Sequence, residues 1–162
     1  MRDGITVNVD FDGTVVKHEF PQVGEDIGAA PVLKKLVNAG HKLILFTMRS
    51  DKEFRNPDGS ITDCGLKDAV KWFEDNDIPL YGVQSNPTQS SWTSSPKSYA
   101  QLMIDDSALG CPLKWDYKPV PIQIDDKVNR LVYGETMMVK TGHPYVDWVE
   151  VERMLIKMGL ID

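Results

Sequence analysis

The chain has 162 residues, a formal net charge of −6, 41% apolar and 26% charged residues. That size and composition suit a single globular domain with a sizeable core. The negative balance excludes a global basic field of the kind that draws proteins to nucleic acid or anionic membranes, and no apolar run is long enough to span a bilayer.

Cys64 and Cys111 lie far apart, outside any C-x-x-C or His/Cys cluster, so neither a zinc site nor a disulfide framework is expected. The opening MRDGITVNVD runs into strand-like sequence with no signal-peptide block. Both features set the expected location as cytoplasmic, with no membrane role.

Taken in chain order, ITVNV (5–9) alternates β-branched and apolar residues and predicts a strand. APVLKKLVNAG predicts a helix. Pro31 suits its first position, Val32, Leu33, Leu36 and Val37 form one face, and Gly40 suits the cap. HKLILFT predicts a strand buried on both faces. RSDKEFRNPDGSI is expected to be polar loop. TDCGLKDAVKWFEDNDIP places Leu66, Ala69, Val70 and Phe73 at helical spacing before Pro79. LYGVQ and QLMI (101–104) predict two more strands, separated by the Ser/Pro-rich loop QSNPTQSSWTSSPKS. Residues 112–146 contain strand-like pieces, VPIQI and RLVYGETMMV, which suggest a hairpin, either a surface feature or an oligomer contact. DWVEVERMLIKMG predicts a last helix with Trp148, Val151, Leu155 and Met158 on one face, Asp147 as its N-cap and Gly159 at its end. Strands alternating with helices predict an α/β domain with a parallel sheet, and such sheets bind ligands at the carboxyl ends of their strands.

Three strands deliver polar groups to that edge: VNV ends at Asp10, LILF at Thr47 and QLMI at Asp105 and Asp106. The most specific stretch is VNVDFDGTVV. Asp-Gly is also a common turn, and the stretch is no EF-hand loop, because the glycine comes too early and the distal glutamate is missing. An unpaired buried carboxylate is costly, so paired acids at a strand end call for a metal or a chemical step.

VNVDFDGT, LILFT, Lys97 and LMIDD, in that order and strand context, resemble the four motifs of the haloacid dehalogenase superfamily of phosphohydrolases, over about residues 5–113. The chain is most similar to the small capless bacterial and phage members. The resemblance implies a three-layer α/β sandwich with a Rossmann-like parallel sheet, one domain over 1–162 with a C-terminal extension from about 114, and no large cap. The stretch after Asp12 is only a flap, and the loop from Ser50 to Thr62 is short for an inserted domain.

The implied activity is Mg²⁺-dependent phosphomonoester hydrolysis through an aspartyl-phosphate. Asp10 would be the nucleophile. Asp12 would be the general acid and base, its protonated form favoured by neighbouring carboxylates. Gly13 would let the backbone approach the phosphate. The Asp10 carboxylate, the Asp12 carbonyl and the Asp106 carboxylate would hold Mg²⁺, with Asp105 a ligand through water or a supporting partner. Thr47 and Lys97 would meet the phosphoryl group; a strand-end threonine can equally be a cap, and a loop lysine a surface group. A turn of helix in PKSYAQLMIDD would aim Lys97 back at the site.

Met48 and Arg49 extend the second motif as further substrate contacts. Arg49 forms a Thr-x-Arg also seen in the 3′-phosphatase parts of polynucleotide kinases. It would grip a phosphate or pair with an acid at the surface. His18 and Glu19 lie in the flap, and Trp92 lies in the serine-rich loop; His18 could touch substrate and Trp92 stack on a ring, or both could be ordinary loop residues. Dehalogenation is disfavoured, since dehalogenases of the superfamily lack the second aspartate. The expected substrate is a phosphorylated small molecule or nucleic-acid end. The alternatives are a nucleotide or polynucleotide 3′-phosphatase and a non-catalytic metal-binding module of the same fold.

Overall fold

A computed structural model describes residues 4–121 and 136–162. Four parallel strands, β1 (Thr6–Val9), β2 (Lys42–Leu45), β5 (Gly82–Val83) and β6 (Leu102–Ile104), form a sheet in the order β5-β2-β1-β6. Helices α1 (Ala29–Asn38) and α2 (Leu66–Asp75) fall between consecutive strands, and α3 (Trp148–Lys157) closes the chain. This is the mixed α/β, Rossmann-like architecture expected.

Strand alternation separates the two faces. Val7, Val9, Leu43, Leu45 and Ile104 join one apolar cluster with Leu33 and Leu36 of α1, Phe73 of α2 and Trp148, Val151 and Leu155 of α3. Asn8 points the other way. Its amide donates to the Ser98 carbonyl and its oxygen accepts from the Ser98 hydroxyl. The segment from Gln84 to Gln101, with one 3-10 turn at Gln89–Ser91, therefore forms the layer on that face.

Register decides where the site falls. Val9 pairs with Leu45 on one side and Ile104 on the other, so the three strands end level. The Asp10 N–H donates to the Ile104 carbonyl and the Phe46 N–H to that of Val9, which carries the alignment one residue further.

Several expectations need correcting. Pro31 is the third residue of α1; the helix starts at Ala29 after Gly28, whose φ of 88° suits a residue without Cβ. RSDKEFRNPDGSI is not plain loop. Its middle folds as an antiparallel hairpin of β3 (Glu53–Arg55) and β4 (Ile61–Asp63). Both strands are exposed, so no apolar alternation marks them. The turn is built by Asp58, which accepts from Ser60, and by Gly59 at φ 86°. No helical turn precedes β6 at Lys97.

The expected C-terminal hairpin is present as β7 (Leu113–Pro121) and β8 (Thr136–Val146), while parts of VPIQI and RLVYGETMMV lie outside the described residues. Asp147 caps α3 by accepting from the N–H groups of Val149 and Glu150. Met158, expected on its apolar face, is 48% exposed. Both cysteines are free thiols. Among the described residues no helix is long and apolar enough to cross a membrane.

The extension is knitted to the first motif. The Val146 N–H donates to the Gly13 carbonyl at 2.9 Å. The Trp148 indole N–H donates to the Thr14 carbonyl at 2.7 Å. Lys17 pairs with Asp116 of β7 at 2.7 Å, and the same carboxylate accepts from the Tyr145 hydroxyl. The segment therefore braces the first motif from behind, at Gly13, Thr14 and Lys17.

Candidate metal centre

Because β1 and β6 end level, one carboxylate oxygen from each of Asp10, Asp105 and Asp106 lies within 4.8 Å of the others. Three carboxylates at that spacing repel one another. Burial, first, and repulsion from Asp105 and Asp106 push the Asp10 carboxyl from 3.8 up to about 7, against the N–H of Phe11 and the Thr14 hydroxyl, which favour the anion. Asp106 is also raised, by burial and by Asp105, while His18 works the other way. An all-oxygen acidic cluster fits a hard divalent cation.

Thr14 organises this cluster. Its hydroxyl is fully buried, donates to Asp10 Oδ2 at 3.0 Å and accepts from the Asp106 N–H at 3.0 Å. A hydroxyl has one hydrogen, so the longer 3.4 Å approach to Asp106 Oδ1 is secondary. Asp105 is steadied through Oδ1, which accepts from the N–H and hydroxyl of Ser107. Gly13 makes the close packing feasible. Its φ is 79°, and a Cβ there would stand 2.6 Å from Asp106 Oδ2. Gly13→Ala is expected to cost about 1–3 kcal/mol in strain and to displace Asp106. Thermal melts with and without added Mg²⁺ check both effects; an unchanged melt and unchanged metal response would refute the packing argument.

Asp12 is not in the cluster. Its side chain turns to Arg49, whose Nε and Nη2 donate to the two carboxylate oxygens at 2.7 Å each. The neighbouring carboxylates expected to favour its protonated form are not its hydrogen-bond partners; its immediate partner is a cation. Arg49 itself is 1% exposed and lies between the rings of Phe11 and Phe20. Its remaining N–H groups donate to the carbonyls of Pro21, Gln22 and Gly65. All five guanidinium donors are occupied, so Arg49 is neither a surface ion pair nor free to grip a phosphate.

A cleft of about 510 Å³ opens over these groups, within the range of small-ligand sites. Asp10, Asp12, His18, Phe20, Thr47, Met48, Arg49, Asp105, Asp106 and Ser107 line it. Thr47 is held by Gln84, which accepts from its N–H and donates to its carbonyl. The Thr47 hydroxyl oxygen accepts from the Arg49 N–H at 3.2 Å, which leaves its hydrogen to donate elsewhere. Met48 is 96% exposed on the rim.

The chain's fold is similar to the solved structure of a conserved protein coded by a locus of Bacteroides thetaiotaomicron. Identity is 25%, the match covers 96% of this chain and 93% of that one, and the TM-score is 0.62. No family model and no curated protein matches the chain. Coverage of that extent takes in the C-terminal hairpin and helix, so they belong to the shared architecture.

Lys97 is not brought to the cleft. It is exposed and does not line it, because the bends before β6 turn Ser98 inward onto Asn8 instead. Glu19 is likewise exposed outside the lining. Trp92 packs edge-on against Tyr99 at 5.3 Å and anchors its loop. Sequence reasoning gave Thr14 no role, although it follows the D-x-D-G stretch directly.

Proposed function

We propose that the chain is a Mg²⁺-dependent phosphohydrolase of the haloacid dehalogenase type, acting through an aspartyl-phosphate. The observation that carries this reading is the convergence of Asp10 with Asp105 and Asp106 at level strand ends. The donor set suits Mg²⁺: the carboxylates of Asp10, Asp105 and Asp106, with the Asp12 carbonyl as a further oxygen. When bound, the cation would offset the negative charge that otherwise keeps a phosphate dianion away from Asp10.

The chain's own groups then divide the work. An Asp10 oxygen attacks phosphorus, and the P–O bond to the leaving alcohol breaks. Asp12 supplies the proton to that oxygen, and afterwards takes one from the water that cleaves the acyl-phosphate. Asp12 already lines the cleft with both oxygens paired to Arg49, so to act it has to give up one of those bonds. The Thr47 hydroxyl donates to a phosphoryl oxygen, and the backbone at Gly13 leaves room for it. Two apolar side chains on the rim, Phe20 (50% exposed) and Met48, favour one narrower reading, a nucleotide or nucleic-acid 3′ end whose base rests on them.

The test is hydrolysis of p-nitrophenyl phosphate. Turnover is expected with Mg²⁺, to vanish in excess EDTA, and to be inhibited by Ca²⁺, whose looser shell lets a carboxylate bind through both oxygens and turns Asp10 from attack. Full activity in EDTA would remove the metal from the mechanism. A protein that binds Mg²⁺ yet hydrolyses no phosphate ester across metabolites, nucleotides and 3′-phosphorylated oligonucleotides would be a binding module.

A further inference from the structure

A phosphate bound over three carboxylates needs donors on the protein side as well as a cation beneath it. Among the described residues, two side chains that line the cleft can carry positive charge, His18 and Arg49. Arg49 is buried with all five donors occupied inside the protein. Lys97, which the motif pattern would have used, lies outside the lining. His18 remains. It is exposed, and neither ring nitrogen is hydrogen-bonded to a described residue. It lies close enough to Gly13 for its Cδ2 to be 3.2 Å from a Cβ placed there.

The ring is also positioned. His143 of β8 packs against it, with centroids 5.2 Å apart and planes at 42°. One residue earlier, Lys17 is pinned by Asp116 at 2.7 Å and Glu25 at 2.9 Å. The C-terminal hairpin thus holds the flap at Lys17, through Asp116 of β7, and at the His18 ring, through His143 of β8. That arrangement gives the hairpin a task at the site, beyond a surface or oligomer contact.

We infer that His18, backed by His143, donates to an oxygen of the bound phosphate and takes the place of the lysine expected at Lys97. The inference rests on the phosphohydrolase reading for the identity of the anion. His143 is a positioning residue that acts through the His18 ring.

The test is calorimetric titration of inorganic phosphate into the full chain with saturating Mg²⁺, beside p-nitrophenyl phosphate kinetics. His18→Ala should weaken phosphate binding and raise KM by about 10–100-fold, the usual range for losing a hydrogen bond to a charged group. His143→Ala should give a smaller loss of the same kind, and His143→Phe, which keeps a ring against His18, should recover most of it. Lys97→Ala should behave as wild type, and Mg²⁺ affinity should be unaltered throughout. The inference is overturned if His18→Ala binds phosphate normally, if Lys97→Ala shows the loss instead, or if the wild type binds no phosphate in Mg²⁺. Phosphate binding that depends on His18 in a protein without turnover would sink the hydrolase reading and leave this one standing. Turnover with normal phosphate binding in His18→Ala would do the reverse.

Discussion

Asp10→Asn should abolish phosphatase turnover and, without metal, make the protein more stable. The first effect follows from chemistry. An amide is nearly isosteric with the carboxylate but is not a competent nucleophile toward phosphorus, and a loss on the order of 10⁴-fold or more is expected. The second follows from electrostatics. The fold raises the Asp10 carboxyl from 3.8 to about 7, so the ionised group destabilises the metal-free native state. That penalty is fully present above pH 7, shrinks as pH falls from 7 toward 4, and is absent below both values. A neutral Asn removes it. The gain should be about 2–4 kcal/mol at pH 8 in EDTA and should fade toward pH 4. Wild type should recover stability with Mg²⁺, by about 2.7 kcal/mol at a hundred times its dissociation constant, and the variant far less. Melts at pH 8 and pH 4.5, with EDTA or Mg²⁺, separate these terms. If the variant retains turnover, Asp10 is not the nucleophile; if it is less stable at pH 8 without metal, burial and the neighbouring acids do not penalise the Asp10 anion as described.

The strand ends were legible because two simple patterns coincide there. Apolar residues mark the strands, alternating with polar ones in β1 and unbroken in LIL of β2 and LMI of β6, and the first polar residues after each mark where the strand leaves the core. Asp10, Thr47, Asp105 and Asp106 follow from that alone. The metal-centre role of Thr14 was hidden for a different reason. A threonine after Asp-Gly is ordinary turn chemistry, and only the parallel pairing of β1 with β6 brings the Asp106 N–H onto its hydroxyl. Lys97 lies outside the cleft lining because motif spacing does not fix the path of the chain. Seven residues lie between it and Asp105, the last three of them β6, and none is in a helical turn. The contact of His143 with His18 spans more than a hundred residues and depends on hairpin register, which local pattern does not encode.

The same limit applies to Arg49: a Thr-x-Arg in sequence suggests a substrate grip or a surface partner, and the fold makes it a buried clamp. Its guanidinium ties Asp12 to the flap at Pro21 and Gln22 and to Gly65 at the start of α2. A planar fork of five donors fits this geometry; a lysine ammonium does not. Arg49→Ala would leave the Asp12 carboxylate and three carbonyls without their partner, and should cost about 3–5 kcal/mol. Arg49→Lys keeps the charge and is the informative variant. It should fold with reduced stability, and it should misdirect Asp12. If Asp12 is the proton donor, Asp12→Asn lowers turnover by about 10²–10⁴-fold. The loss should be smaller for p-nitrophenyl phosphate than for an alkyl phosphate, whose poorer leaving group needs the proton. Metal affinity should be largely kept, because the expected contact of Asp12 is its carbonyl. Arg49→Lys should show the same leaving-group dependence, and the double variant should be little worse than Asp12→Asn, since both changes act on one proton. Asp106→Asn should differ from both, with weaker Mg²⁺ binding and partial rescue by excess metal. Should Arg49→Lys slow good and poor leaving groups equally, and add its full effect to Asp12→Asn, the clamp serves the fold alone and Asp12 reaches the cleft without it.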